Sequence, residues 1–272
     1  MKLAQFIDGK ALRLGIIENR ELLPLAFDGD FHAWLDADRP LTTTGPPRPL
    51  ADLQLAAPVN RPGKIIAIGL NYVEHALEGN MKKPKEPLIF AKFPNSVTGP
   101  RSTITWSLQV TEKVDFEAEL VAVVGRRCRD CRPEEALEQI FGYTCGNDVS
   151  ARDLQFRDKQ WVRGKSLDTF CPIGPWLVTG DELGDPQKLA IRSRLNGALM
   201  QESTTANMIF PVAELVSFLS RHFTLDPGDL IMTGTPSGVG VFREPPLFMA
   251  DGDTIEIEIE KIGTLKNYCR VQ

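Results

Sequence analysis

Apolar and polar residues alternate with period two over Thr254-Ile255-Glu256-Ile257-Glu258-Ile259-Glu260, as in an antiparallel strand with one face in a core. Shorter apolar runs bounded by Gly, Pro or Asp read as further strands: Lys64–Ile68, Leu88–Lys92, Val114–Val124, Ile191–Leu195, Leu230–Met232 and Leu265–Val271. Near the start, Leu3–Ile7 and Leu12–Ile17 are parted by Asp8-Gly9, a two-residue hairpin signal. Period 3.6 is rarer. Pro211–His222 places Val212, Leu215, Val216 and Leu219 on one face and stops at Asp226-Pro227-Gly228. Pro133–Ile140 opens with proline and acids and stops at Gly142, which predicts a second helix. Strands outnumber helices without alternating with them, so the pattern predicts a β-rich α+β fold and not a doubly wound sheet.

Six prolines fall between Pro40 and Pro62. Proline fixes φ and removes a backbone donor, so this stretch predicts an irregular connector. It divides the chain into a small N-terminal domain, residues 1–60, and a body, residues 61–272. Sixty residues bury too little apolar surface to stand alone, so the small unit is expected to lean on the body.

Composition excludes several function classes. The 272 residues carry 31 Lys+Arg against 36 Asp+Glu, a net charge of -5, whereas a nucleic-acid surface needs clustered positive charge. The longest apolar runs fall far short of the roughly 20 residues of a membrane helix. An acid at position 8 interrupts any leader, so the expected compartment is the cytoplasm. Five cysteines, an odd number, suit reduced thiols. Cys128-Arg129-Asp130-Cys131 has no second pair or nearby histidine to complete a zinc site.

The chemistry-bearing residues cluster in a few segments. Along Val114–Val124, the residues Val114, Phe116, Ala118, Leu120, Ala122 and Val124 share one strand face. Asp115, Glu117 and Glu119 share the other, which turns apolar at Val121 and Val123; the acids then lie at the mouth of a core. Alternate carboxylates are about 7 Å apart at Cα and can reach one ion, although a solvated strand face gives the same pattern. Asp148, another acid, lies where a strand-like piece runs into a helix, where it or Ser150 can serve as a helix N-cap. His75 and Glu78 are neighbours on a helical turn, and a carboxylate beside imidazole fixes its tautomer for base catalysis. Gly164-Lys165-Ser166 lacks the upstream glycine of a nucleotide-binding P-loop. Thr233-Gly234-Thr235-Pro236-Ser237-Gly238 follows a buried strand and can bring backbone N–H groups to an anion.

In order, these segments resemble the fumarylacetoacetate hydrolase family, including its bacterial acylpyruvase and 2-hydroxyhepta-2,4-diene-1,7-dioate isomerase members. The matching pieces are Gly69-Leu70-Asn71-Tyr72 with His75 and Glu78; Asp115-Phe116-Glu117-Ala118-Glu119-Leu120; Asn147–Gln155; Gly164–Thr169; Leu195-Asn196-Gly197; Pro227–Gly240; and Gly252-Asp253. They span roughly residues 62–272. The resemblance implies a mixed β-roll, a homodimer, and one Mg²⁺ or Mn²⁺ held by Glu117, Glu119 and Asp148. It implies a small 2-oxo or diketo acid as substrate, oriented by Arg152 and Gln155, with its carboxylate at Gly234 and Thr235. Lys165 would stabilise enolate charge, and His75 with Glu78, on a lid-like segment, would activate water. The first expectation is hydrolysis of a C–C bond in a 2,4-diketo acid; decarboxylation of oxaloacetate-type acids or isomerisation of hydroxydienedioates is the alternative, and a metal-binding scaffold without turnover the third.

Overall fold

The structure, a computed structural model, describes all 272 residues. Its centre is an eleven-stranded mixed sheet. From one edge the order is Arg48–Pro49, Glu21–Asp28, Ala11–Glu18, Lys2–Asp8, Cys171–Thr179, Ile140–Asn147, Ala118–Val124, Leu230–Met232, Ile65–Gly69 and Leu88–Lys92, with Val97–Thr98 alongside Cys171–Thr179. A second sheet of five strands runs Ala198–Thr204, Ala190–Leu195, Thr254–Ile259, Gly263–Val271 and Thr103–Trp106. This is the mixed, β-rich α+β architecture that the alternation predicts.

The alternation along Ala118–Val124 explains how the layers stack. Ala118, Leu120, Ala122 and Val124 face a core that also holds Ile191, Leu195, Ile255, Ile257 and Leu265 of the second sheet. Val121 and Val123 face a separate core with Leu3, Leu14, Leu25, Phe31 and Trp34 of the N-terminal segment. A strand buried on both faces must be apolar on both, and it is, except at its entry. The helix Val212–His222 buries Val212, Leu215, Val216 and Leu219 in the first core.

Two expectations change in detail, and one strand is added. The run Val114–Val124 is not one strand: Val114–Asp115 pairs with Ser150–Ala151, and pairing within the large sheet resumes at Ala118. Asp115 therefore leaves the face of Glu117 and Glu119. The helix from Pro133 ends earlier than Gly142, because Ile140 already opens a strand. Glu21–Asp28, with Pro24 inside it, is a further strand that no expectation covered. Residues 1–60 supply four strands of the large sheet, and Lys2–Asp8 pairs directly with Cys171–Thr179.

Candidate active site

The acids are delivered by neighbouring strands of the large sheet. Glu119 lies in Ala118–Val124, Glu117 just before it, and Asp148 just beyond Ile140–Asn147, which pairs antiparallel with it. That register brings one carboxylate oxygen of each acid within 4.8 Å of the others, with all three residues buried. Asp148 N–H donates to the Glu117 carbonyl at 3.0 Å, and Glu117 N–H to Asn147 Oδ1 at 2.9 Å, which ties the two loops.

Buried carboxylates this close need positive charge. Lys165 Nζ donates to Glu117 Oε2 at 2.9 Å and to Asp148 Oδ2 at 2.7 Å. Arg152 pairs with Glu117 at 2.7 Å and with Asp115 at 2.8 Å, and donates to Gln155 Oε1 at 2.9 Å. Lys92 Nζ, fully buried, reaches Asp148 Oδ1 at 2.5 Å and the Val149 carbonyl at 3.2 Å. Four carboxylates thus face three cations, and Glu119 is the one left over: its partner is the Gly234 N–H at 2.8 Å. The consequences are opposite. Burial raises Glu117, but Lys165 and Arg152 outweigh it and hold the carboxyl down to about 2. Burial raises Glu119 and the Asp148 and Glu117 charges raise it further, to well above the usual carboxylate range. Burial lowers Lys165, yet Asp148 and Glu117 more than offset it and its ammonium is favoured.

The donor set suits a hard cation. It is all oxygen, buried, and one negative charge in excess, so a divalent ion at Glu117, Glu119 and Asp148 would supply the charge that Glu119 lacks.

A cavity of about 210 Å³ opens beside the acids and is lined by His75, Glu117, Arg152, Gln155, Lys165 and Thr235 among others. His75 sits in the short helix Val73–Glu78, with Nδ1 3.2 Å from Glu78 Oε2. In the neutral ring, a hydrogen bond donated to that carboxylate puts the proton on Nδ1 and leaves Nε2 with the lone pair. Glu78 Oε1 in turn accepts the Gly238 N–H at 2.8 Å. The start of the helix is pinned by buried Asn71, which bonds to the Phe210 and Thr233 carbonyls and to the Phe210 N–H.

Of the residues named from the sequence, His75, Glu117, Arg152, Gln155, Lys165 and Thr235 line this cavity, Glu119 and Asp148 complete the acids, and Glu78 stands behind His75; two roles differ from expectation. The Gly234 amide is committed to Glu119, so of the pair Gly234 and Thr235 only Thr235 lines the cavity. Asp148 does not cap the helix Arg152–Arg157; its oxygens hold the two lysines. Sequence reasoning missed Lys92 and the role of Asp115. The signal for Lys92 was a lysine closing an otherwise apolar strand. Asp115 accepts Phe116 N–H, Gly240 N–H, Val241 N–H and Arg152 Nε, and so joins the arginine to the loop that carries Phe242. Tyr72 is also buried near Glu119, its hydroxyl without a partner.

Comparison with known proteins places these residues among relatives. Residues 64–271 match the family model described as fumarylacetoacetate (FAA) hydrolase C-terminal. A mitochondrial oxaloacetate tautomerase of Xenopus laevis is 48% identical over 219 residues, covering 80% of this chain and 68% of that one. A human counterpart of the same description is 44% identical over 233 residues, 85% of this chain and 74% of that one. Among solved structures, a fumarylacetoacetate hydrolase from psychrophilic Exiguobacterium antarcticum superposes with a TM-score of 0.92 at 36% identity, covering 100% of both chains. A 2-hydroxyhepta-2,4-diene-1,7-dioate isomerase from Mycobacterium marinum does so with 0.84 at 38% identity, covering 100% of this chain and 99% of that one. No helix is long and apolar enough to cross a membrane.

Proposed function

Since the chain belongs to the fumarylacetoacetate hydrolase family, we propose that it interconverts the enol and keto forms of a short 2-oxo acid of the oxaloacetate type, with Mg²⁺ or Mn²⁺ as cofactor. The observation that carries this is one cavity lined by both a carboxylate-oriented imidazole and the cation-balanced acids. The ion, held by Glu117, Glu119 and Asp148, would polarise the 2-oxo group as a Lewis acid. The protein side chains do the rest. His75 Nε2 takes or returns the proton at C3, and Glu78 keeps the ring in the tautomer that can do so. Lys165, its ammonium favoured by the acids, balances negative charge on the enolate oxygen. Gln155, and Arg152 through its unpartnered Nη2, are the donors for substrate carboxylate, with the Thr235 hydroxyl opposite.

Hydrolysis of a 2,4-diketo acid is the second reading. It is favoured by the absence of any protein partner on His75 Nε2, which leaves that nitrogen free to deprotonate water. Two assays separate them: decay of enol-oxaloacetate absorbance with Mg²⁺ against a Mg²⁺ blank, and cleavage of acetylpyruvate. Accelerated enol decay without cleavage is the expected result. Cleavage without enol decay would replace the first reading by the second, and acceleration of neither reaction would contradict both.

A further inference from the structure

The cavity beside the acids has two unlike halves. The two full cations of the lining, Lys165 and Arg152, stand beside the acids and are already paired with carboxylates. The apolar wall of the cavity includes Met81, Phe90, Phe156, Trp161 and Phe242. The rings of Phe90 and Trp161 meet edge to face with centroids 5.3 Å apart, and the Phe242 ring lies with its centroid 5.8 Å from that of the His75 ring. Lys165 Nζ stands 5.1 Å over the centre of the Phe90 ring, where the halves meet. Gly79 closes the wall because any side chain there would collide with Met81 and crowd Phe242. An apolar cavity of roughly 150 Å³ already takes up benzene, so about 210 Å³ holds one ring beside a small polar head.

We propose that this wall makes the enzyme accept 2-oxo acids bearing an aromatic group on C3, arylpyruvates above all, and discriminate against long dicarboxylates. The proposal rests on the keto–enol reading and names its substrate range. Oxaloacetate is short enough to keep both carboxylates on the acid side. In a seven-carbon dicarboxylate the far carboxylate would be set against aromatic rings with no lysine or arginine beyond the two the acids already hold, where an ionised group is strongly disfavoured. An aryl ring there stacks edge to face with Phe90, Trp161 or Phe242. The reaction is the same for each substrate: the enol O–H proton leaves, C3 gains a proton by way of His75, and the C=C bond is exchanged for C=O, with no oxidant or reductant.

The test is solvent-deuterium incorporation at C3, followed by proton NMR, with the full chain, Mg²⁺, and phenylpyruvate, oxaloacetate or 2-oxoheptanedioate. Phenylpyruvate should exchange with a kcat/KM within about tenfold of oxaloacetate, and 2-oxoheptanedioate at least about tenfold below phenylpyruvate. Phe156, 62% exposed at the rim, can be changed with little risk to folding. Phe156→Arg should raise the 2-oxoheptanedioate to phenylpyruvate ratio at least about tenfold. Exchange of oxaloacetate without phenylpyruvate would overturn the inference and leave the keto–enol reading standing. No exchange with any of the three would overturn the reading itself and the inference with it. An unchanged ratio in the variant would show that the wall does not select.

Discussion

Asp115→Asn is an isosteric change whose cost can be worked from four hydrogen bonds. Oδ1 accepts Phe116 N–H and Gly240 N–H, each at 2.8 Å; Oδ2 accepts Arg152 Nε at 2.8 Å and Val241 N–H at 3.0 Å. Whichever oxygen becomes NH₂, two buried donors lose their acceptor and meet a donor instead. An orphaned buried donor costs about 1–3 kcal/mol, and breaking a buried ion pair about 3–5 kcal/mol. Arg152 keeps Glu117 at 2.7 Å, which limits the loss, so destabilisation of about 3–5 kcal/mol is expected. Guanidinium titration followed by tryptophan fluorescence reads this as a lower midpoint at unchanged slope. Gly240→Ala should act on the same joint, because its methyl would overlap the Leu247 carbonyl oxygen and lie 2.6 Å from Asp115 Oδ1. A loss below about 1 kcal/mol in Asp115→Asn would refute the claim that this carboxylate joins Arg152 to the Phe242 loop.

Two further predictions concern protons. Glu119 holds its proton to higher pH in the folded, metal-free protein than in the unfolded chain, so stability without metal falls as pH rises from about 4.5 towards the raised folded value. Mn²⁺ must displace that proton; calorimetry in buffers of different ionisation enthalpy should show proton release on binding at pH values below the raised folded value, and zero release at every pH would contradict the assignment. His32 packs against Gly228 with both ring nitrogens unpartnered. Burial lowers it below 6.5, opposed by Asp30, Asp36 and Asp229 and assisted by Arg61. The folded state then binds fewer protons than the unfolded, so stability is lost as pH falls from about 6.5 through the lowered value. His32→Phe should flatten the difference in denaturation midpoint between pH 7.5 and 5, and an unchanged difference would count against it.

Much of the fold was legible because its strands follow simple periodicity. Thr254–Ile259 alternates in sequence and in burial, and the even and odd residues of Ala118–Val124 enter different cores. Legibility ended where tertiary contacts override local pattern. Nothing in Val114–Val124 announces the break at Phe116 and Glu117, which arises because Asp115 is claimed by Arg152 and by a loop 125 residues away. The acids could be grouped from spacing and resemblance, but the counter-charges could not. Lys92 reads as the end of a strand, and only the fold brings it to Asp148. The aromatic wall is equally silent in sequence, since Phe90, Trp161 and Phe242 come from three separate segments.

The central claim is that His75 moves the C3 proton of a 2-oxo acid held over the acid cluster. The direct measurement is deuterium exchange at C3 of oxaloacetate by wild type and His75→Gln, with Mn²⁺ affinity of each read by electron paramagnetic resonance. Loss of a positioned acid–base group costs about 10²–10⁴-fold, so exchange should fall by that factor while Mn²⁺ affinity stays unchanged. Exchange at the wild-type rate in His75→Gln would contradict the account.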